Sequence, residues 1–90
     1  MAWTIKVSKR ADKQLRKLNK QVADRITKYI NEISLLDDPR TKGKALTGTL
    51  RGLWRYRVED YRIICDIIDN ELVILVLEVE HRSKVYGINA

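Results

Sequence analysis

The hydrophobic period of this chain changes from two residues to the helical spacing and back, and that order confines it to one fold class. Residues 2–7, "AWTIKV", alternate, with Trp3, Ile5 and Val7 on one side and Thr4 and Lys6 on the other. This predicts a half-buried strand. From Lys9 the apolar positions Ala11, Leu15, Leu18 and Val22, then Ile26, Tyr29, Ile30 and Ile33, recur at helical spacing. Ser8 is placed to cap the first helix, and the first stripe ends at Asn19 and Lys20. Asp37, Asp38 and Pro39 stop the second, because proline cannot continue a helix and disfavours helix in the residue before it. The spacing predicts helices over 9–18 and 21–36, packed as an antiparallel pair. Period two returns in strands at about 53–58, 61–68 and 72–80, separated by Glu59-Asp60 and Asp69-Asn70, gaps short enough for hairpins. Helices grouped apart from a strand meander define an α+β domain. We expect a mainly antiparallel four-stranded sheet with the N-terminal helix hairpin on one face, in the order β-α-α-β-β-β, ending in a short C-terminal helix or tail. The last strand, apolar on both faces in "VILVL", is expected to be central.

Ninety residues fit one domain, 1–90, with one modest core. An apolar fraction of 44% supports a folded globule rather than a disordered chain. No run approaches the roughly 18 apolar residues of a membrane span, and "MAWTIKVSKR" has no apolar signal core. Cys65 is the single cysteine, which excludes an internal disulfide framework. With one histidine and no carboxylates at ligand-like spacing, we expect no metal and no cofactor. These features together predict a cytoplasmic protein without a membrane partner.

The net charge of +6 suits a polyanionic partner, either nucleic acid or an acidic protein. Lys9, Arg10, Lys13, Arg16, Lys17, Lys20, Arg25 and Lys28 occupy most polar positions of the two helices. They form either an ordinary solvated face or a contact surface for an acidic partner. Between Asp38 and Glu59 lie Arg40, Lys42, Lys44, Arg51, Arg55 and Arg57, with no acid among them.

The segment "WRYRVEDYRI", residues 54–63, concentrates this charge. If Glu59 and Asp60 form a two-residue loop, Val58 pairs with Tyr61, Arg57 with Arg62, and Tyr56 with Ile63. Alternation then places Arg55, Arg57, Arg62 and Ile64 on one face, and Trp54, Tyr56, Val58, Tyr61, Ile63 and Cys65 under the helices. Like charges directly opposite on a sheet cost on the order of 0.2–1 kcal/mol. Guanidinium groups bind phosphate bidentately and stay charged at physiological pH, so an anion between the two arginines accounts for the arrangement. The alternative is solvated arginines paired with Glu59, Glu78 or Glu80.

After the last strand, "EVEHRSKVYGINA" places His81, Arg82, Lys84 and Tyr86 within six residues. A histidine, an arginine and a tyrosine beside a phosphate-binding face form a set for proton transfer and charge stabilisation. RNA cleavage through its own 2′-hydroxyl needs such a set and no metal. A histidine ending a strand and a tyrosine packed on a sheet are the structural alternative.

The opening strand, the "ADKQLRKL" helix, the "KALTGTLRGLWRYRVEDYRIICDI" core and the "VEHRSKVY" ending together resemble the RelE toxins of the RelE/ParE toxin–antitoxin superfamily, over nearly the whole chain. The resemblance implies a ribosome-dependent mRNA interferase. Such a toxin enters the A site, contacts 16S rRNA and mRNA, and leaves a 2′,3′-cyclic phosphate and a 5′-hydroxyl. It also implies a RelB-like antitoxin that neutralises the toxin, with operator DNA bound only through that complex. Arg55 and Arg57 match the two basic positions of the strand before the YR motif, where RelE-like toxins often have lysines. Arg62 matches the arginine that holds the scissile phosphate. Arg82 matches the arginine just after the last strand, a candidate for stabilising the leaving group or acting as acid, and His81 competes with it for that position. Tyr86 matches the C-terminal tyrosine that stacks on the base and is also a candidate general base. The catalytic set so implied is Arg57, Arg62, Arg82 and Tyr86, with Arg55, Arg51, Lys44, Lys42, His81 and Lys84 binding RNA. ParE-like inhibition of DNA gyrase and a catalytically inactive antitoxin-binding co-repressor are the alternatives.

Overall fold

The computed structural model describes residues 2–82. It contains β1 (Thr4–Val7), α1 (Lys9–Arg16), α2 (Lys20–Ser34), β2 (Lys44–Ala45), β3 (Trp54–Val58), β4 (Tyr61–Ile68) and β5 (Val73–His81). The strands form one sheet in the order β1-β5-β4-β3-β2. All neighbouring pairs are antiparallel except β1 with β5, which is parallel. The α+β class is as expected, and the element order is as expected except for one added strand. The sheet has five strands rather than four: Lys44 and Ala45 pair with Arg55 and Trp54 at the edge beside β3. A two-residue strand between glycines is too short to show a period. β5 lies inside the sheet, as its two apolar faces require, and β4 is the middle strand.

Both helices end two residues before the expected positions, α1 at Arg16 and α2 at Ser34. The N–H groups of Lys17 and Leu18 turn back three residues, to the carbonyls of Gln14 and Leu15. Asn19 then starts α2, its Oδ1 accepting from the Gln21 N–H at 2.8 Å. At the far end, Leu35 and Leu36 donate to Glu32 and Ile33, while the Ser34 carbonyl accepts from the Trp3 N–H at 2.8 Å. The chain entering β1 thus takes a carbonyl that a longer helix would keep for itself.

The core lies between the helices and one sheet face. Ala11, Ile26, Ile30 and Ile33 meet Tyr56, Val58, Ile63, Cys65, Ile74, Val76 and Val79, all buried. Each fully buried isoleucine contributes about 1.5–3 kcal/mol. The segment after α2 is tied to this core. The Tyr56 hydroxyl donates to the Pro39 carbonyl at 2.7 Å. Gly43 lies so close to the Tyr56 ring that a Cβ there would sit 3.0 Å from it. Arg40 pairs with Asp38 and Asp69 and stands over the Trp54 ring, so it is bound into the fold rather than part of a free basic loop.

The α1 helix also completes the sheet edge. β1 pairs with β5 only as far as Val76, which leaves the rest of β5 without a strand on that side. Ser8 donates its backbone N–H to Val76 and its hydroxyl to the Leu77 carbonyl, at 2.9 Å each. The same hydroxyl caps α1 by accepting from the Ala11 N–H at 3.0 Å. Gln14 Oε1 accepts from the Val79 N–H at 2.6 Å. Side chains of α1 therefore satisfy edge groups that would otherwise lack partners.

Candidate functional site

The β3–β4 hairpin builds the site. Its turn is Glu59-Asp60, with Glu59 at φ +54°, and it fixes Arg57 opposite Arg62, Tyr56 opposite Ile63, and Val58 opposite Tyr61. A non-glycine residue in the left-handed region is uncommon, and here two contacts outside the hairpin accompany it. Arg25 of α2 donates to the Glu59 carboxylate at 2.8 Å, which raises the Arg25 pKa above its usual value through the hydrogen bond and the opposite charge. The Asp60 carbonyl accepts from the Arg82 N–H at 2.8 Å. The turn, α2 and the end of β5 are thus linked at one end of the molecule.

Strand register arranges the outer face in rows. Lys44, Arg55, Ile64 and Glu78 lie across from one another in one row, and Arg57, Arg62 and Glu80 in the next. Arg57 and Lys44 are exposed, while Arg55 and Arg62 are half-buried. Ile64 is buried on this face and gives the row an apolar floor. Of the three acids near the arginines, two are engaged by the helices: Glu59 with Arg25, and Glu78 with Arg10 at 2.8 Å. Glu80 is the acid in the arginine row.

The other predicted residues are distributed differently. Lys42 and Arg51 are exposed at the ends of short 3-10 turns flanking β2 and the β2–β3 loop. They add charge at the sheet's β2 side. Arg82 is exposed and follows β5 at the hairpin end. His81 is on the opposite side of the sheet from the arginines. It pairs with Tyr61, the two rings meeting edge to face at 5.1 Å. Both line a groove of about 480 Å³ with Arg10, Gln14, Lys17 and Leu18 of the helix layer. That groove lies on the helix side, with Val79 and Glu80 also among its lining residues. The sequence set His81 beside the arginines because it adjoins Arg82, but neighbouring residues of a strand point to opposite faces. Tyr86 and Lys84 lie outside the described residues.

Gln14 has no role in the sequence reading, yet its Oε1 accepts from the Val79 N–H of β5; Ser8 and Glu80 gain more than the cap and the arginine pairing expected of them. An N-capping serine is visible in sequence, but its second bond, to a strand about seventy residues away, is not. Among the described residues no group of three or more His, Cys, Asp or Glu is placed to hold a metal ion, and no helix is long and apolar enough to cross a membrane. The face can bind an anion through several cations and hold it beside a carboxylate.

The sequence model of the ParE toxin of type II toxin–antitoxin systems (parDE) matches residues 5–86. The mRNA interferase toxin RelE of Escherichia coli K12 is 30% identical over 97% of this chain and 93% of its own length. Toxin RelG of Mycobacterium tuberculosis is 27% identical over 96% of this chain and 98% of its own. Among solved structures, the toxin–antitoxin complex RelBE2 of M. tuberculosis matches with a TM-score of 0.83 and 25% identity, over 92% of this chain and 94% of the other. An E. coli RelE double arginine mutant in complex with an antitoxin RelB peptide matches with a TM-score of 0.77 and 28% identity, over all of this chain and 96% of the other.

Proposed function

The chain belongs to the RelE/ParE superfamily of type II toxins, as a RelE-type member, and from that premise we propose that it is an mRNA interferase acting on the ribosome. The observation that carries this reading is the row in which Arg57 faces Arg62 on the outer sheet surface. A scissile phosphate between two guanidinium groups receives bidentate hydrogen bonds and relieves the repulsion between the two arginines. The 2′-oxygen attacks the phosphorus, its proton passes to a base, and the P–O5′ bond breaks with a proton delivered to O5′. The two arginines stabilise the charge that develops on the non-bridging oxygens. Lys44 and Arg55 extend the cationic surface along the RNA, with Lys42 and Arg51 at the β2 side. Arg82 stands at the hairpin end, where it is available to the leaving group, and Tyr86 is proposed to stack on a base. The pair cannot exchange protons itself at neutral pH, because arginine stays protonated. No step uses a metal, and the site of action is proposed to be cytoplasmic.

A RelB-like antitoxin is the proposed partner, supported by the antitoxin complexes formed by its relatives. An acidic or amphipathic segment laid on the basic helices and sheet would cancel the field that RNA requires. Operator DNA is proposed to bind only through that complex.

The test is cleavage of a defined mRNA on programmed ribosomes, mapped at nucleotide resolution. We expect A-site cutting by the wild type, slowed on the order of 10²–10³-fold in Arg62→Ala and reduced in Tyr86→Phe. Ribosomes present and no cutting would reject the reading. The ParE name of the matching family model favours a second reading, inhibition of DNA gyrase. A supercoiling assay with the same protein separates the two, because the interferase reading expects gyrase to be unaffected.

A further inference from the structure

The register of β4 with β5 changes once. Ile68 to Cys65 pair with Val73 to Val76, and Ile64 to Tyr61 pair with Glu78 to His81, so Leu77 is an extra residue in β5. A bulge of this kind shifts every later side chain to the other face, and bulges frequently re-aim a side chain beside a functional site. Without it, Val79 would lie across from Arg62 and Glu80 would lie across from Tyr61 under the helices. With it, Val79 is buried in the core opposite Ile63, and Glu80 lies across from Arg62. The bulge is held in place from outside the sheet: the Ser8 hydroxyl takes the Leu77 carbonyl, and Gln14 takes the Val79 N–H. The row that results reads Arg57, Arg62, Glu80.

We propose that Glu80 is a positioning residue for Arg62, its carboxylate drawing the guanidinium to the β5 side so that the space between Arg57 and Arg62 stays open for a phosphate. This assignment rests on the interferase reading of the same face. Residues directly across an antiparallel pair have Cβ atoms about 4.5–5.5 Å apart, within reach of a glutamate and an arginine. Arg62 therefore has a like charge on one side and an opposite charge on the other, and both push it the same way. Glu80 also lines the helix-side groove with Arg10 of α1, Lys17 at its C-cap and His81, and Arg82 follows two residues on. Arg10 is already engaged by Glu78 at 2.8 Å. The carboxylate also lies close to where phosphate binds, so it opposes RNA electrostatically while it orders the arginine. A positioning role thus separates binding from turnover.

The experiment has two arms. In the first, KM and kcat for ribosomal cleavage are measured for Glu80→Ala and Glu80→Gln. We expect Glu80→Ala to lower kcat at least tenfold while KM stays the same or falls, because a negative charge has left the RNA site. Glu80→Gln keeps a hydrogen-bond acceptor and should recover most of kcat. Equal loss in Ala and Gln variants, with the acidic limb of the pH–rate profile abolished, would overturn positioning in favour of a proton-transfer role. Unchanged kcat in both would overturn it outright.

The second arm needs no cleavage. The Arg62 Nε–Hε NMR signal, assigned by its loss in Arg62→Ala, should show restricted rotation in the wild type and averaging in Glu80→Ala. Inorganic phosphate added to the wild type should perturb the same signal. An Arg62 signal indifferent to Glu80→Ala would overturn the proposal. If the wild type does not cut mRNA but the signal responds to Glu80, the interferase reading fails and the positioning of Arg62 stands.

Discussion

Cys65 shows how far a single residue's behaviour follows from its place. It is 1% exposed beneath the helices, and burial pushes its thiol up from 9.0 to about 12. Its thiolate, the reactive form, is therefore scarce at neutral pH, and we expect no alkylation of the native protein by iodoacetamide at pH 7.5. The same shift links to stability. In the unfolded chain the thiol loses its proton near pH 9, whereas in the folded protein it keeps it. The unfolded state then binds fewer protons, and stability falls as pH rises from about 9 towards 12. Burial also raises the Tyr56 phenol well above its usual value, which adds a second loss beginning near pH 10. Urea midpoints measured between pH 7 and pH 11 should decline, and Cys65→Ala should remove the part of the decline that starts first. A midpoint flat with pH in the wild type would contradict this burial.

At the scale of elements, the junction of α1 with β5 does more than its sequence suggests. Ser8 satisfies two groups, the Ala11 N–H and the carbonyl of the bulged Leu77. Loss of a capping hydroxyl costs about 0.5–2 kcal/mol, and the part-buried bulge carbonyl would lose its partner as well. We expect Ser8→Ala to lower stability by about 1–3 kcal/mol, with the larger part of the range reflecting the second bond. Ser8→Thr should recover most of it, read by urea denaturation. Amide exchange at Ala11 should quicken in Ser8→Ala. The strand signal in sequence identified β5, but not the extra residue within it, because "VILVLEVE" reads as continuous apolar and alternating positions in either register. The turn before it also differs from the expected two residues. Asp69–Glu71 form a 3-10 turn and Leu72 takes φ +54°, so four residues separate β4 from β5.

For the whole molecule, the +6 charge is spread over the outer sheet face and the helices rather than concentrated in one cleft. Several helix cations are internally balanced: Arg10 by Glu78, Arg16 by Asp12 and Arg25 by Glu59. Exposed pairs of this kind contribute about 0–1 kcal/mol each and weaken in salt. In the proposed function, Lys44, Arg55, Arg57 and Arg62 of the outer face supply the field that an RNA backbone meets. Binding to polyanions should fall steeply with salt, since each neutralised phosphate releases a counterion. We expect Lys44→Ala to weaken RNA binding to a similar extent for different sequences and to reduce the slope of log K against log salt by about one. A slope that did not change would place Lys44 outside the contact.

The sequence by itself determined the α+β class and the succession of its long elements, and it pointed to the Arg57–Arg62 opposition on the condition of a two-residue loop at Glu59-Asp60, which the structure has. Periodicity reports which face of an element is buried, and a two-residue hairpin gap leaves only one register that keeps Tyr56 and Ile63 in the core. Tertiary structure decided what those signals do not encode. It placed Glu80 beside Arg62 by a bulge that depends on Ser8 and Gln14, residues distant in sequence. It turned His81 to the helix side, and it recruited Lys44 into the row through a strand of two residues. Each of these depends on hydrogen bonds between segments far apart in the chain, which local hydrophobic patterns cannot specify.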